Sequence, residues 1–395
     1  MIVRESRPEE ARRINELFAI CFETPYSNCP IDPEGDDALH WVALDADGEM
    51  MSTLTVSDYV VNFDGRACVM GGVGGVATLP QYRRMGGIRG CFQAALPELY
   101  RQGYDFSYLY PFSTAYYRKF GYECCCQSWQ WKIDLSRLSP LKADGTFRLV
   151  EKAHPQTREI QALDALWEHK YNMMVRRRPS DYLWVSQSNP AVKQEFTYVC
   201  YDEADKPTAY VTFRLANEPD GRNLQCSRFC FSGKSGFLTA MALFKSLSAD
   251  HTYAKFKTPV IRAWQYLMPE WSQGAVKWEN LASHGMVRVI NVPEVLEKAA
   301  YLGSGAVTLE IQDLQIPENT GRFTVTFKNG QSLSVERTEN VPDALLTISA
   351  FSALIAGTCG IREADGYLSG LEVAGSLEAL SQVFYEKPMW ITDYF

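Results

Sequence analysis

The segment Val76-Ala-Thr-Leu-Pro-Gln-Tyr-Arg-Arg-Met-Gly-Gly-Ile-Arg89 sets two arginines and two glycines where an extended run passes into a helix. Val69–Leu79 is apolar and broken by glycine, which reads as a strand. Pro80 ends it, because proline cannot donate to a sheet ladder. The chain then becomes helical over Gly90–Tyr100. A loop of free backbone N–H groups between a strand and a helix N-terminus makes an anion site. Arg83 and Arg84 would be its charge partners and the amides around Gly86 and Gly87 its donors, with glycine allowing close approach to the backbone. The anion expected is a diphosphate. The same residues would also serve as a basic surface turn that caps the helix.

A second cluster, Tyr116-Tyr-Arg-Lys-Phe-Gly-Tyr122, carries phenols. A phenol is a weak acid able to protonate a departing anion. With Tyr108 and Tyr110 nearby, it also reads as a packed aromatic cluster. Arg176-Arg-Arg178 follows an amphipathic stretch and precedes Pro179, so it reads as a solvated helix end or a subunit contact.

These groups need elements to position them. The chain has 395 residues, so two or three domains are expected. A hydrophobic content of 46% and 22% charged residues are ordinary for a globular protein, and a net charge of −8 argues against general nucleic-acid binding. It is compatible with a cationic substrate. The N-terminal residues have no apolar core of the signal-peptide kind, and no run of 18 apolar residues would span a membrane. The 11 cysteines, with Cys124-Cys125-Cys126 contiguous, lack a secreted framework and are expected buried and reduced, in a cytoplasmic protein. The 5 histidines are far apart, and no metal site is expected.

Ile2-Val-Arg reads as a strand, Ser6–Glu9 as a capping box, and the helix that follows runs to about Phe22. Strands near Trp41–Asp45 and Met51–Phe63, a hairpin turn at Asp64-Gly65, the basic loop and its helix come next. A strand at Phe106–Tyr110, a short helix at Ser113–Phe120 and a strand at Gln127–Leu135 close a mixed α/β module. Ser136–Gly145 reads as a linker. A second α/β pattern follows, with a helix at Arg158–Arg177 and no diphosphate loop. Near Val287 the character shifts to an α+β module of alternating strands, with a hairpin at Asn329-Gly330. Cys21–Ser27 and Ile31–Asp37 are acidic, aromatic segments that could line an amine pocket or be exposed loops.

Arg83-Arg84-Met85-Gly86-Gly87-Ile88 resembles the acetyl-CoA loop of GNAT-type N-acetyltransferases, with Ile88 in place of that signature's last small residue. With Tyr117-Arg-Lys-Phe-Gly-Tyr122, Met286-Val-Arg-Val-Ile-Asn-Val-Pro293 and an aromatic last residue, the whole chain resembles the Eis (enhanced intracellular survival) family of bacterial acetyltransferases. The resemblance implies an α/β and α+β fold of three parts. These are a GNAT acetyl-CoA-binding domain (1–140), a degenerate second GNAT domain (146–285) and a sterol-carrier-protein-like domain (286–395), in a homo-hexamer. It implies acetyl-CoA as co-substrate, held by Val76, Thr78, Arg83, Arg84, Gly86 and Gly87. The Val76–Thr78 strand would pair with the pantetheine amides as an added strand does. It implies Tyr117 as general acid and the carboxylate of Phe395 as base or amine-positioning group. The reaction would be N-acetylation of a primary amine, whether aminoglycoside-like, polyamine or lysine. Met85 and Gly87 depart from the family's better-known members, which makes this loop less basic. The rival expectation is a non-catalytic lipid- or protein-binding module with a relic loop.

Overall fold

The computed structural model describes residues 1–29, 38–139, 141, 145–268, 271 and 285–395, with 276–283 described in backbone only. The chain forms two compact units. The first comprises Met1–Cys126, His284–Lys387 and Asp393–Phe395; the second comprises Gln127–Ser283 and Pro388–Thr392.

In the first unit, β1 (Ile2–Glu5), β2 (Leu39–Leu44), β3 (Met50–Phe63) and β4 (Arg66–Thr78) form an antiparallel meander. Helix α1 (Ala11–Cys21) lies between β1 and β2 in sequence. The capping box lies one residue beyond the expected one, on the 3-10 turn Pro8–Glu10 that leads into α1: the Glu10 carboxylate accepts the Arg7 N–H at 2.8 Å. Helix α2 (Gly87–Arg101) returns the chain to β5 (Phe106–Leu109), which pairs parallel to β4. Ile88, Cys91, Phe92, Ala95, Leu96 and Leu99 repeat at helical spacing and are all buried, so α2 forms by covering the sheet. Helix α3 (Thr114–Arg118), N-capped by Ser113, and β6 (Glu123–Cys124) follow.

One strand of this sheet comes from far along the chain. Met286–Val289, read from sequence as the entry to the last module, inserts between β5 and β6. All four of its residues, the ion-paired Arg288 included, are buried, as in a central strand covered on both faces. Conversely, Gln127–Asp134, read as the closing strand of the first module, belongs to the second sheet. There Trp131 is 1% exposed, stacks on Phe256 at 5.7 Å and donates to Thr258 Oγ1 at 2.7 Å. Aromatic packing decides its sheet, and no local pattern encodes that.

The second unit repeats the plan. Thr146–Leu149, Glu195–Tyr201, Pro207–Glu218 and Gly221–Phe231 form a meander, and the Gly233–Ser246 helix crosses to Tyr253–Pro259, parallel to Gly221–Phe231. Its Thr157–Lys170 helix stops short of the expected Arg177. Tyr171–Val175 is buried, and Asn172 instead bridges to Met389.

The third sheet, in the first unit, has the order Gln331–Arg337, Gly321–Lys328, Gly305–Gln312, Ala344–Thr347, Leu371–Val373. Lys387, beyond this sheet, bonds Asp64 of the β3–β4 turn at 2.6 Å, with side chains 2% and 7% exposed. Burial lowers the Lys387 pKa and Asp64 opposes that shift. Removing one partner of a buried pair strands the other charge. Asp64→Asn is therefore expected to lower the unfolding free energy by about 3 kcal/mol, read from urea unfolding; an unchanged midpoint refutes the pair's role.

Candidate active site

Between β4, α2 and α3 lies a cleft of about 880 Å³. Val76, Thr78, Arg83, Arg84, Gly86 and Gly87 all line it, so the structure brings six of the expected site residues together. Arg89, Gln93, Phe112, Tyr116, Lys119 and Gln315 also line it. Sequence reasoning had not assigned these to the site. Arg89 and Gln93 are one helical turn apart on α2, which is the signal that could have found them. Gln315, more than 200 residues from the loop, had no such signal.

The loop's conformation explains its composition. Arg84 and Gly86 have φ of 68° and 89°, and Gly86 is the N-cap of α2. A Cβ on Gly87 would lie 2.3 Å from Ser52 Oγ, so only glycine fits under the helix start. The first N–H groups of α2 have no acceptor within the helix and point toward the loop. Among the described lining residues there are four cations, Arg83, Arg84, Arg89 and Lys119, and no carboxylate. In a chain of net charge −8 this is a local reversal of sign. Cys21 and Phe22 of the acidic Cys21–Ser27 segment also line this cleft, and Ile31–Asp37 lies outside the described residues.

The cleft opens where the sheet divides. The described β4–β5 ladder ends at Val73↔Leu109, whereas β4 continues to Thr78 beside β3. A register shift between Thr53 and Thr55 bulges the strand at Gly75 (φ 56°) and Val76. Residues 74–78 thus offer one backbone edge without a β5 partner among the described residues.

Phe395 docks where the ladder ends. A Cβ on Gly74 would lie 2.5 Å from the main-chain carbon of Phe395, and one on Gly72 would lie 2.6 Å from its ring. These glycines are two residues apart, hence on one face of the strand. Tyr110 donates its hydroxyl to the Asp393 carbonyl and stacks on Tyr394 at 4.5 Å, and the Phe395 ring lies 5.3 Å from Tyr59. Paired glycines in an apolar strand are the sequence sign of such a close approach.

Tyr117 lies apart from the cleft lining. It is 3% exposed and packs edge-on against Phe92 at 6.1 Å and Phe112 at 5.3 Å. Burial raises its phenol well above the ordinary 10.0. Tyr116, its half-buried neighbour, lines the cleft instead. The structure shows aromatic packing at Tyr117 and a cleft-lining phenol at Tyr116. Gly121 (φ 84°) follows, and a Cβ there would lie 1.9 Å from Arg288 Nη1.

Residues 2–125 match the family model described as an acetyltransferase (GNAT) domain, and residues 292–392 match the sterol carrier protein domain. No curated protein matches the sequence. Several solved structures share its fold from end to end, among them the following three. A probable N-acyltransferase from Enterococcus faecalis V583 has 22% identity and a TM-score of 0.86 over 100% of this chain and 99% of its own. A GCN5-related N-acetyltransferase from Anabaena variabilis ATCC 29413 has 21% identity and a TM-score of 0.85, over 100% of both chains. Eis1 from Mycobacterium abscessus has 18% identity and a TM-score of 0.79, again over 100% of both. The chain thus carries a GNAT acetyltransferase domain and a sterol carrier protein domain, and it resembles the Eis family in fold over its whole length.

Proposed function

We propose that the chain moves an acetyl group from acetyl-CoA to a primary amine of a cationic substrate, by direct attack in a ternary complex. The observation that carries this is the four-cation cleft running from the α2 N-terminus to the open edge of β4. Its donor set fits the co-substrate. Arg83, Arg84 and the first amides of α2 suit a diphosphate, and the free edge at Val76–Thr78 suits the amides of a pantetheine arm. Acetyl-CoA bound there supplies the thioester that the amine attacks.

The protein's own groups then have two tasks. Tyr117 holds a proton: its raised pKa keeps the phenol neutral at physiological pH, ready for the departing thiolate. The carboxylate of Phe395, against Gly74, draws in the ammonium form and takes up its proton directly or through a water. An α-carboxylate with an ordinary pKa of about 3.5 is a weak base, so electrostatic positioning is its larger share. The proposal extends to the three-part division at 1–140, 146–285 and 286–395, and to a homo-hexamer, whose protomers light scattering would count.

Tyr117→Phe is expected to lower kcat by about 10²-fold with little change in KM. Tyr116→Phe is the comparison, and the larger kcat loss marks the acid. Because the Tyr117 pKa is raised, its proton is retained as pH rises. The kcat of the wild type should climb with amine deprotonation and show no alkaline fall between about pH 7 and 9. A fall in that range excludes Tyr117 as the acid. Gly74→Ala, or a C-terminal extension, should depress turnover sharply while sparing acetyl-CoA binding, and Gly74→Ala should expose the tail to carboxypeptidase. Normal turnover in both sinks the Phe395 role. CoA binding without turnover for any amine favours the non-catalytic binding module.

A further inference from the structure

The loop that leads into α2 is strained at Arg84. The Met85 N–H donates to the Tyr82 carbonyl at 3.3 Å, which closes a four-residue turn. Its central residues are Arg83, at φ −60° and ψ 144°, and Arg84, at φ 68°. These fit a type II turn, whose third position requires φ above zero and so favours glycine or asparagine. An arginine there is held against a steric cost, and such a residue persists only where its surroundings over-determine it.

The surroundings that do so come from the β2–β3 hairpin. At the loop's start, the hydroxyls of Ser52 and Thr78 lie 2.9 Å apart, and the Leu79 N–H donates to Met51 O at 3.1 Å. At its end, Gly87 lies against the same Ser52. In the middle stands Tyr82. Its ring packs against the cluster that holds Leu44, Met50 and Leu79, and its hydroxyl donates to Asp45 Oδ2 at 2.9 Å. Asp45 is fixed in turn, because its Oδ1 accepts the Asp47 and Glu49 N–H groups, each at 2.9 Å. The Glu49 amide and the Tyr82 hydroxyl hold the Asp45 carboxyl below its ordinary value, so it remains an acceptor. Among the described residues, no other side chain from Pro80 to Met85 is hydrogen-bonded. Tyr82 is therefore the one tie at the centre of the loop, and the strained residue lies two positions beyond it.

We propose that Tyr82 and Asp45 are a positioning pair for the reaction: their hydrogen bond keeps Arg84 in the left-handed conformation, so that the loop is set for its anion before the anion arrives. A loop ordered in advance loses less freedom on binding, and the gain appears as affinity. Without the Tyr82 hydroxyl, Arg84 relaxes to a negative φ and the turn that presents Arg83 and Arg84 to the cleft opens. The chemical step at the thioester does not involve either residue. This deepens the acetyl-CoA reading of the cleft and rests on it.

The test is a double-mutant cycle on the full chain, read by calorimetry with CoA. Tyr82→Phe keeps the packed ring and removes only the hydroxyl. It should weaken CoA binding about tenfold in the wild-type background, while the melting midpoint without ligand stays near that of the wild type. Arg84→Asn loses a charge and binds CoA more weakly, but asparagine tolerates φ above zero. In that background Tyr82→Phe should cost less than about threefold, because there is less strain left to hold. Such coupling separates the pair's action on Arg84 from a general loosening of the loop. An unchanged CoA affinity in Tyr82→Phe, or an equal loss in both backgrounds, overturns the positioning pair alone. Failure of the wild type to bind CoA overturns the acetyl-CoA reading with it.

Discussion

The Arg288–Asp313 pair is the interaction on which the first unit is assembled. Arg288 sits on a strand buried within the first sheet, and Asp313 follows a strand of the third. The Asp313 carboxylate accepts two bonds from Arg288, two from its own loop and one from Asn319 Nδ2 at 3.0 Å. Asn319 in turn bonds Ile290 O and Val292 N–H. A buried pair repays its desolvation only when the remaining hydrogen-bonding capacity is met with good geometry; here the carboxylate is fully engaged, while the buried Arg288 Nε and Nη1 have no hydrogen-bond partner among the described residues. The consequence is that the sterol carrier region and the acetyltransferase sheet share one polar centre, and the chemistry of the cleft inherits its geometry from both.

The site is shaped as much by absent side chains as by present ones. Gly72 and Gly74 make room for Phe395, Gly87 for Ser52, and Gly121 for Arg288. Each contact is closer than any Cβ would permit. The second unit shows what happens when the plan is repeated without these features. It has the same meander, crossover helix and parallel strand. At the equivalent turn, Ser232-Gly-Lys-Ser-Gly236 has one cation where the first unit has Arg83, Arg84 and Arg89. Gly236 there packs 2.1 Å, by its virtual Cβ, from the Thr208 carbonyl, so its glycine serves packing.

Much of this was legible in the chain. The strand, basic loop and helix from Val69 to Tyr100 could be read because each rests on neighbours in sequence: Pro80 ends a ladder, glycines take positive φ, and apolar residues recur at helical spacing. The six loop and strand residues that the resemblance implies as co-substrate contacts line one cleft. Two strands were read with their sequence neighbours and belong elsewhere. Which sheet takes Met286–Val289 or Gln127–Asp134 depends on partner residues more than 100 positions away.

The sequence by itself determined the local patterns: a basic glycine-bearing loop, a phenol cluster and two α/β patterns followed by an α+β one. These follow from dihedral preference, capping and periodicity, which act over a few residues. Only the tertiary structure decided which tyrosine faces the cleft, that Phe395 rests on Gly74, and that Gln315 joins the wall. Those outcomes depend on long-range packing and on a buried ion pair. Such contacts are selected by burial over the whole fold and leave no periodic trace in the chain.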